Sequence, residues 1–367
     1  MRVEVTEHRC HRVCCPDGRT ITVAHSPAGV PVGQFGPHLR ACLALLLGRF
    51  RLSRREVREL CRELFSLPVS LGGLVRIAHG VGEALGGSVR ALARRVRRAR
   101  VAHLDETGWW QESRRHWLWV VATAKDSLFR IAGRRGPEVV RALLGKTFRG
   151  IGISDRWSAY TELSRRGVCW AHLKRDFQAV ADRGGPWGFL GKWGLDLIHR
   201  LFAHGHAFRR GEFSRPRLRR RLAPLAAELT ELLEPGRTHG GPQTRRFCAN
   251  LQALRPALFC FARVPGVEPT NNRAERDLRP AVLWRKGSCG TQSAAGSRFV
   301  ERMLTVRTSC RERGVPLLLY LTEVCRAQDA GRPIPGSWPG RPRDGPRRPR
   351  PGRRRRRRSC RNSRPEG

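Results

Sequence analysis

The chain has 367 residues, with 72 Lys and Arg against 30 Asp and Glu, a formal charge of +42. That length suits two or three domains with a sizeable core, and 40% hydrophobic residues is too many for a disordered polycation. No apolar run approaches a membrane span, since the longest, residues 41–47, meets Gly48 and Arg49, and residues 1–12 do not read as a signal peptide. The charge asks for a polyanionic partner, nucleic acid above all, and excludes a membrane partner from the reading.

Twelve cysteines without a secretory signal fit a reduced, cytoplasmic protein better than a disulfide scaffold. Cys10, Cys14 and Cys15 cluster in "HRCHRVCCPDGRT", where Asp17 precedes Gly18 at the place of a second thiolate. His8 and His11 could contribute, but only one half of a four-ligand zinc site is visible, so zinc is not expected there. Residues 1–30 are therefore read as a remnant of a zinc-binding region.

Residues 31–100 read as helical and DNA-binding. Ser53 and Glu56 form a capping box before Val57, Leu60, Cys61 and Leu64 at helical spacing. A second helix starts near Ser70, with Leu74, Val75, Ile77, Val81 and Leu85 on its apolar side. The pair suits a helix-turn-helix or an ordinary helical hairpin, and "ARRVRRAR" at residues 93–100 adds a basic face. From Val101 the texture turns to strands. "VAHLDETGWW" is a first strand after which Asp105 stands, and "HWLWVVATA" is apolar on both sides, as in a central strand. "SLFRIAG" follows, then a helix from Pro137 to Gly145. "FRGIGISD" is a fourth strand ending at Asp155, "AYTELSR" a short helix and "GVCWAHL" a fifth strand.

Beyond Asp182 the chain is helical to about Arg263, with breaks at "RGGPWG" and "EPGRTHGGP", and reads as an insertion. "VPGVEPTNNRAERDLRP" leads into a short helix capped by Asn271 or Asn272 and stopped by Pro280. A helix with Phe299, Met303, Val306 and Cys310 on one face ends at Gly314, and "PLLLYLTEVCRA" is the last. Thirteen arginines against two acids in residues 341–367 leave 31 of the 42 positive charges on the body. That tail reads as disordered: a solvated appendage or a non-specific phosphate-binding arm.

In a chain so poor in acids, the placed ones stand out. Asp105, Asp155 and Glu275 lie at strand ends and in the first turns of a helix, and strand ends in such sheets converge on one edge. Carboxylates held together repel unless a cation neutralises them, and Mg²⁺ prefers such oxygen ligands. Two ions about 4 Å apart would activate a nucleophile and stabilise the leaving oxygen.

Taken together, "HLDETGW", "HWLWVVAT", "GIGISDRWSAY", "CWAHLKRDF", "VPGVEPTNNRAERDLRP" and "WRKGSCGTQSAAGSRFVER" closely resemble the DDE transposases of the insertion sequence 66 family, in order, over residues 32–327. The resemblance implies an α/β fold: a ribonuclease H-like mixed sheet with a helical insertion, flanked by helical N- and C-terminal regions. The first part of that core would span residues 101–185, the insertion 186–263, the end of the core with the C-terminal helices 264–330, and the tail 331–367. It implies Asp105, Asp155 and Glu275 as catalytic acids holding Mg²⁺ or Mn²⁺. It further implies DNA strand cleavage and transfer at element ends, self-association on DNA, small accessory proteins of the same element, and a bacterial, nucleoid-associated setting. Relatives carry a longer N-terminus with a leucine-zipper-like segment and a full cysteine motif, so the chain is expected to be N-terminally truncated. Two alternatives stay open: a truncated remnant that only binds DNA, and a metal-dependent nuclease of the same fold.

Around the acids, Lys174, Arg273, Arg276, Arg285 and Lys286 are candidates for gripping phosphates. Glu106 reads as an exposed strand-end acid in preference to a spare ligand. His172 is either a core histidine or one that positions water or phosphate. Arg175 and Asp176 read as paired with neighbours, Trp157 and Trp170 as packing residues.

Overall fold

The computed structural model describes residues 3–333 other than 17, 26–29 and 31–32. The expectations for Asp17 and for the Arg-rich tail lie outside the described residues. A two-stranded hairpin, β1 (Arg12–Cys14) and β2 (Ile21–Val23), carries Cys14 and is exposed along both strands. Four helices follow: α1 (Pro37–Leu45, continued by a π turn to Phe50), α2 (Arg54–Phe65), α3 (Leu71–Ala84) and α4 (Gly86–Arg97). The Ser53–Glu56 capping box forms with both reciprocal hydrogen bonds, at 3.2 and 2.6 Å. Ser70 caps α3 through the Gly73 amide.

The sheet is built from β3 (Val101–Gln111), β4 (Arg114–Ala122), β5 (Ser127–Ala132), β6 (Ile151–Ser154) and β7 (Arg166–Val168), with α5 (Pro137–Leu144) between β5 and β6. Its order is β5-β4-β3-β6-β7, antiparallel from β5 to β3 and parallel from β3 to β7. The mixed α/β arrangement read from the sequence is thus present. β4 is buried on both faces: Leu118, Val120 and Ala122 enter one core, Trp119 and Val121 another. The first core unites the sheet with the four N-terminal helices and the three C-terminal ones, and the second packs α5 and Tyr160 against the opposite face.

The remaining helices are α6 (Trp170–Asp182), α7 (Gly188–Arg209), α8 (Arg215–His239), α9 (Pro242–Ala253), α10 (Arg255–Leu258), α11 (Cys260–Arg263), α12 (Asn272–Ser288), α13 (Ala294–Arg313) and α14 (Leu317–Asp329). Helices α6–α11 share a third core that reaches β6 and β7 through Ile151, Ile153 and Val168. No helix among the described residues is long and apolar enough to cross a membrane.

Three local expectations are corrected. "AYTELSR" makes only one 3₁₀ turn, Ser158–Tyr160. "GVCWAHL" is strand only to Val168; Trp170, Leu173, Phe177 and Val180 then repeat with a helical period and bury one face of α6. α8 runs through Pro235 to His239, and the break read at "EPGRTHGGP" falls at Gly240–Gly241, before α9. Pro280 lies inside α12 rather than ending it. A proline there costs about 3 kcal/mol, and burial of Ala274, Leu278, Ala281 and Trp284 against the sheet outweighs it.

Candidate active site

β3 and β6 run parallel, with His103 opposite Ile153. Asp105 and Asp155 each stand two residues further on, so the two carboxylates come level on neighbouring chains and on one face of the sheet. Asp105 is not past the end of its strand, as the sequence suggests. It sits in the middle of β3, opposite Val120, because β3 continues into a long hairpin with β4. The hairpin closes at Glu112 and Ser113, which take left-handed φ of 52° and 58°. Asp155 follows β6 directly, and its Oδ1 accepts the Trp157 amide at 2.9 Å.

Glu275 enters from the first turn of α12. The helix is fastened by Asn271, which is fully buried and donates from Nδ2 to the Leu104 carbonyl at 2.7 Å, one residue before Asp105. Its amide donates to the Cys169 Sγ at 3.1 Å. Asn271 does flank the helix start, as its sequence context suggests, but its side chain clamps β3 instead of capping α12. Burial, the adjacent Glu106 charge, and then Asp155 and Glu275 push the Asp105 carboxyl up to about 7, against the Glu106 amide that lowers it. The structure therefore brings Asp155 and Glu275 within electrostatic reach of Asp105.

Glu106 is corrected outright. It points to the opposite face of β3, its side chain only 2% exposed, and accepts from Arg135 Nε and Nη2 at 2.9 and 2.7 Å and from the Tyr160 hydroxyl. Burial raises its carboxyl while Tyr160 and Arg135 lower it. Alternation along β3 turns it inward, where Tyr160 closes the second core.

On the acid side, His172 lies in α6 with its Nδ1 3.7 Å from Glu275 Oε1, beyond hydrogen-bonding distance. Neither atom has a hydrogen-bond partner, although both are buried. The ligand atoms of Cys169, His172 and Glu275 lie within 4.8 Å of one another. Trp170 is buried and donates to the Leu258 carbonyl at 2.7 Å, a packing role as expected. Trp157 is 37% exposed beside Asp155, with the Arg135 guanidinium 4.0 Å above its ring. Asp176 pairs with Arg156 at 2.6 Å.

The five candidate phosphate-gripping residues divide. Lys174, Arg276 and Lys286 are exposed. Arg273 donates to the Thr123 carbonyl at 3.0 Å, and Arg285 to Thr107 Oγ1 at 3.0 Å and the Gly108 carbonyl at 2.5 Å, so both are engaged in holding α12 to the β3–β4 hairpin. The basic face of α4 is likewise partly engaged: Arg95 pairs with buried Asp126, and Arg97 donates to carbonyls of α5. Sequence reading missed Arg166, whose Nη2 donates to the Asp155 carbonyl at 3.1 Å and whose guanidinium is lowered by burial. It also missed the structural weight of Asp126, held by Arg95 and Arg313. An Arg among so many gives no local signal.

Two comparisons bear on these residues. The profile described as "Transposase IS66 family" matches residues 33–298, a stretch that contains Asp105, Asp155 and Glu275. A curated relative, "Uncharacterized protein y4qI" of Sinorhizobium fredii (strain NBRC 101917 / NGR234), is 29% identical over 243 residues, covering 56% of this chain and 42% of that protein. The chain thus spans less than half the length of that relative. With the family profile matching well over half of the chain, including the strands and the helix that carry the three acids, the chain belongs to the IS66 family of transposases.

Proposed function

We propose that the chain is a DNA transposase of the DDE type, with Asp105, Asp155 and Glu275 as its catalytic acids. The observation that carries the reading is the approach of Asp155, from the chain beside β3, and of Glu275, from the start of α12, to within Coulomb reach of Asp105, in a chain where bases outnumber acids by more than two to one. The strand order β5-β4-β3-β6-β7, three antiparallel strands followed by two parallel ones, supports a ribonuclease H-like core interrupted by the helices of residues 186–263.

The donor set fits a hard divalent cation. Burial and the neighbouring acids make an ionised Asp105 costly without a counter-charge, and carboxylate oxygens are the ligands that Mg²⁺ or Mn²⁺ takes. Asp105, Asp155 and Glu275 would hold it, and when bound it supplies Lewis-acid stabilisation of the phosphodiester and a more acidic nucleophile. The protein's own part is positioning. The Trp157 amide fixes the Asp155 carboxylate, Asn271 fixes the helix that delivers Glu275, and the Glu106–Arg135–Tyr160 set locks the strand behind Asp105. Lys174, Arg276 and Lys286 hold the DNA backbone, while Arg273 and Arg285 brace the site.

In this reading water attacks the phosphodiester at an element end and releases a 3′-OH. That hydroxyl then attacks a target phosphodiester in line, expelling the target's own 3′ oxygen. Within residues 31–100, α2 turns Arg54, Arg55, Arg58 and Arg62 to solvent whereas α3 is largely buried, so α2 rather than α3 presents the positive face to DNA.

Asp155→Asn in the full chain tests the assignment with labelled element ends and Mg²⁺. The expected result is loss of both cleavage and strand transfer with DNA affinity nearly unchanged. Undiminished cleavage by Asp155→Asn would overturn the catalytic assignment. A wild-type chain that cuts without joining is a nuclease of this fold, and one that only binds DNA is a non-catalytic remnant.

A further inference from the structure

We propose that Cys169, His172 and Glu275 form a binding site for a borderline or soft divalent cation of the Zn²⁺ class, separate in chemistry from the all-oxygen set of Asp105 and Asp155. The three ligand atoms converge within 4.8 Å. The Nδ1–Oε1 separation of 3.7 Å is too long for a hydrogen bond. It is close to the edge, about 3.4 Å, of a tetrahedron of N and O ligands about 2.0–2.1 Å from zinc. Both atoms are buried and have no hydrogen-bond partner, a costly state for an imidazole and a carboxylate facing each other unless something bridges them.

The ligands come from two helix starts that are bolted together. Cys169 stands just before α6 and His172 lies within its first turn, so the Cys-x-x-His spacing turns both toward α12. Glu275 lies in the first turn of α12. The Trp170 amide donates to the Pro269 carbonyl at 2.9 Å, and the Asn271 amide donates to Cys169 Sγ at 3.1 Å. Burial raises the Cys169 thiol and the Asn271 amide only partly offsets this, so the thiolate would need the charge of a bound cation. Thiolate and imidazole suit Zn²⁺ or Co²⁺ and disfavour Mg²⁺. Three protein ligands leave a fourth position open. This site stands on the ligand geometry alone and does not require the catalytic reading. It shares Glu275 with that reading, so filling it would draw one carboxylate oxygen away from the all-oxygen set.

Co²⁺ titration followed by absorption tests the proposal, using the full chain with Cys10, Cys14 and Cys15 replaced by Ser so that the exposed N-terminal thiols cannot contribute. The expected result is a near-ultraviolet thiolate-to-cobalt charge-transfer band that saturates at one equivalent and is displaced by Zn²⁺ but not by Mg²⁺. Cys169→Ser should abolish the band, and His172→Ala and Glu275→Gln should each weaken Co²⁺ binding about tenfold or more. Because Cys169 is fully buried and its serine variant risks misfolding, His172→Ala, at a partly exposed helical position, decides independently. Absence of the band in the triple-serine chain, its survival in Cys169→Ser, or unchanged affinity in His172→Ala would each overturn the site. Co²⁺ held only by Asp105 and Asp155 would give no thiolate band, so failure of this site leaves the catalytic assignment standing.

Discussion

Replacing Asp105 by Asn should stabilise the metal-free protein at neutral and alkaline pH. In the fold the Asp105 carboxyl is pushed from 3.8 up to about 7, first by burial and then by the charges of Glu106, Asp155 and Glu275. The folded state therefore holds this proton more tightly than the unfolded chain. The stability it contributes is complete below pH 3.8 and is lost as the pH rises through 7. An isosteric Asn can still accept the Glu106 amide and carries no charge to bury. Relative to wild type, Asp105→Asn should gain about 2 kcal/mol at pH 5 and about 4 kcal/mol at pH 8, with all other titrations shared. Urea unfolding in EDTA at several pH values measures this difference directly. Adding Mg²⁺ at pH 8 should narrow the gap by stabilising wild type, while strand transfer by the variant is absent. Equal pH dependence of the two proteins, or a less stable Asp105→Asn at pH 8, would refute the electrostatic reasoning.

Other consequences can be measured in the same way. Asn271→Ala removes the bond to the Leu104 carbonyl and should cost about 1–3 kcal/mol in urea unfolding, with a larger proportional loss of strand transfer than of DNA binding. Tyr160→Phe leaves Glu106 with Arg135 alone and should cost about 1–2 kcal/mol, read as a lowered urea midpoint at unchanged slope. Gly290→Ala places a Cβ against the Trp110 carbonyl at a φ of +106° and should lower the melting temperature by several degrees. Arg54→Ala with Arg58→Ala should flatten the salt dependence of DNA affinity by about 0.9 for each phosphate the variant leaves unneutralised; an unchanged slope would remove α2 from the DNA interface.

Much of the fold was legible where a local pattern had a single structural meaning. The Ser53–Glu56 box, the Pro137 start and Gly145 end of α5, and the face of Phe299, Met303, Val306 and Cys310 in α13 all appear as read. The apolar run of β4 reads as a central strand because both of its faces are buried. The failures have a common cause. "GVCWAHL" is apolar enough for a strand, but β7 finds only three residue pairs along β6 before α6 takes over. Pro280 carries the same local signal in a helix end and in a helix whose face is pressed against a sheet, and only the packing tells them apart.

The candidate site divides along the same line. Asp105, Asp155 and Glu275 could be chosen as candidates from the chain alone, because the motifs around them resemble those of the family. The approach of Asp155 and Glu275 to Asp105 was not legible there, since it depends on the register that sets His103 against Ile153 and on Asn271 tying α12 to Leu104. Nor could the sequence divide the cations, because every Arg looks alike until its neighbours are known: Arg273 and Arg285 brace carbonyls, while Lys174, Arg276 and Lys286 face solvent.

The charge of +42, the helical and strand periods and the family wording belong to the sequence, since each is carried by residues adjacent in the chain or one helical turn apart. The burial of Glu106 away from the acids, the raised Asp105 carboxyl and the meeting of Cys169, His172 and Glu275 belong to the tertiary structure alone. Apart from the adjacent Glu106 charge and the single turn between Cys169 and His172, they arise between residues tens to more than a hundred positions apart, where desolvation and Coulomb interaction act through space.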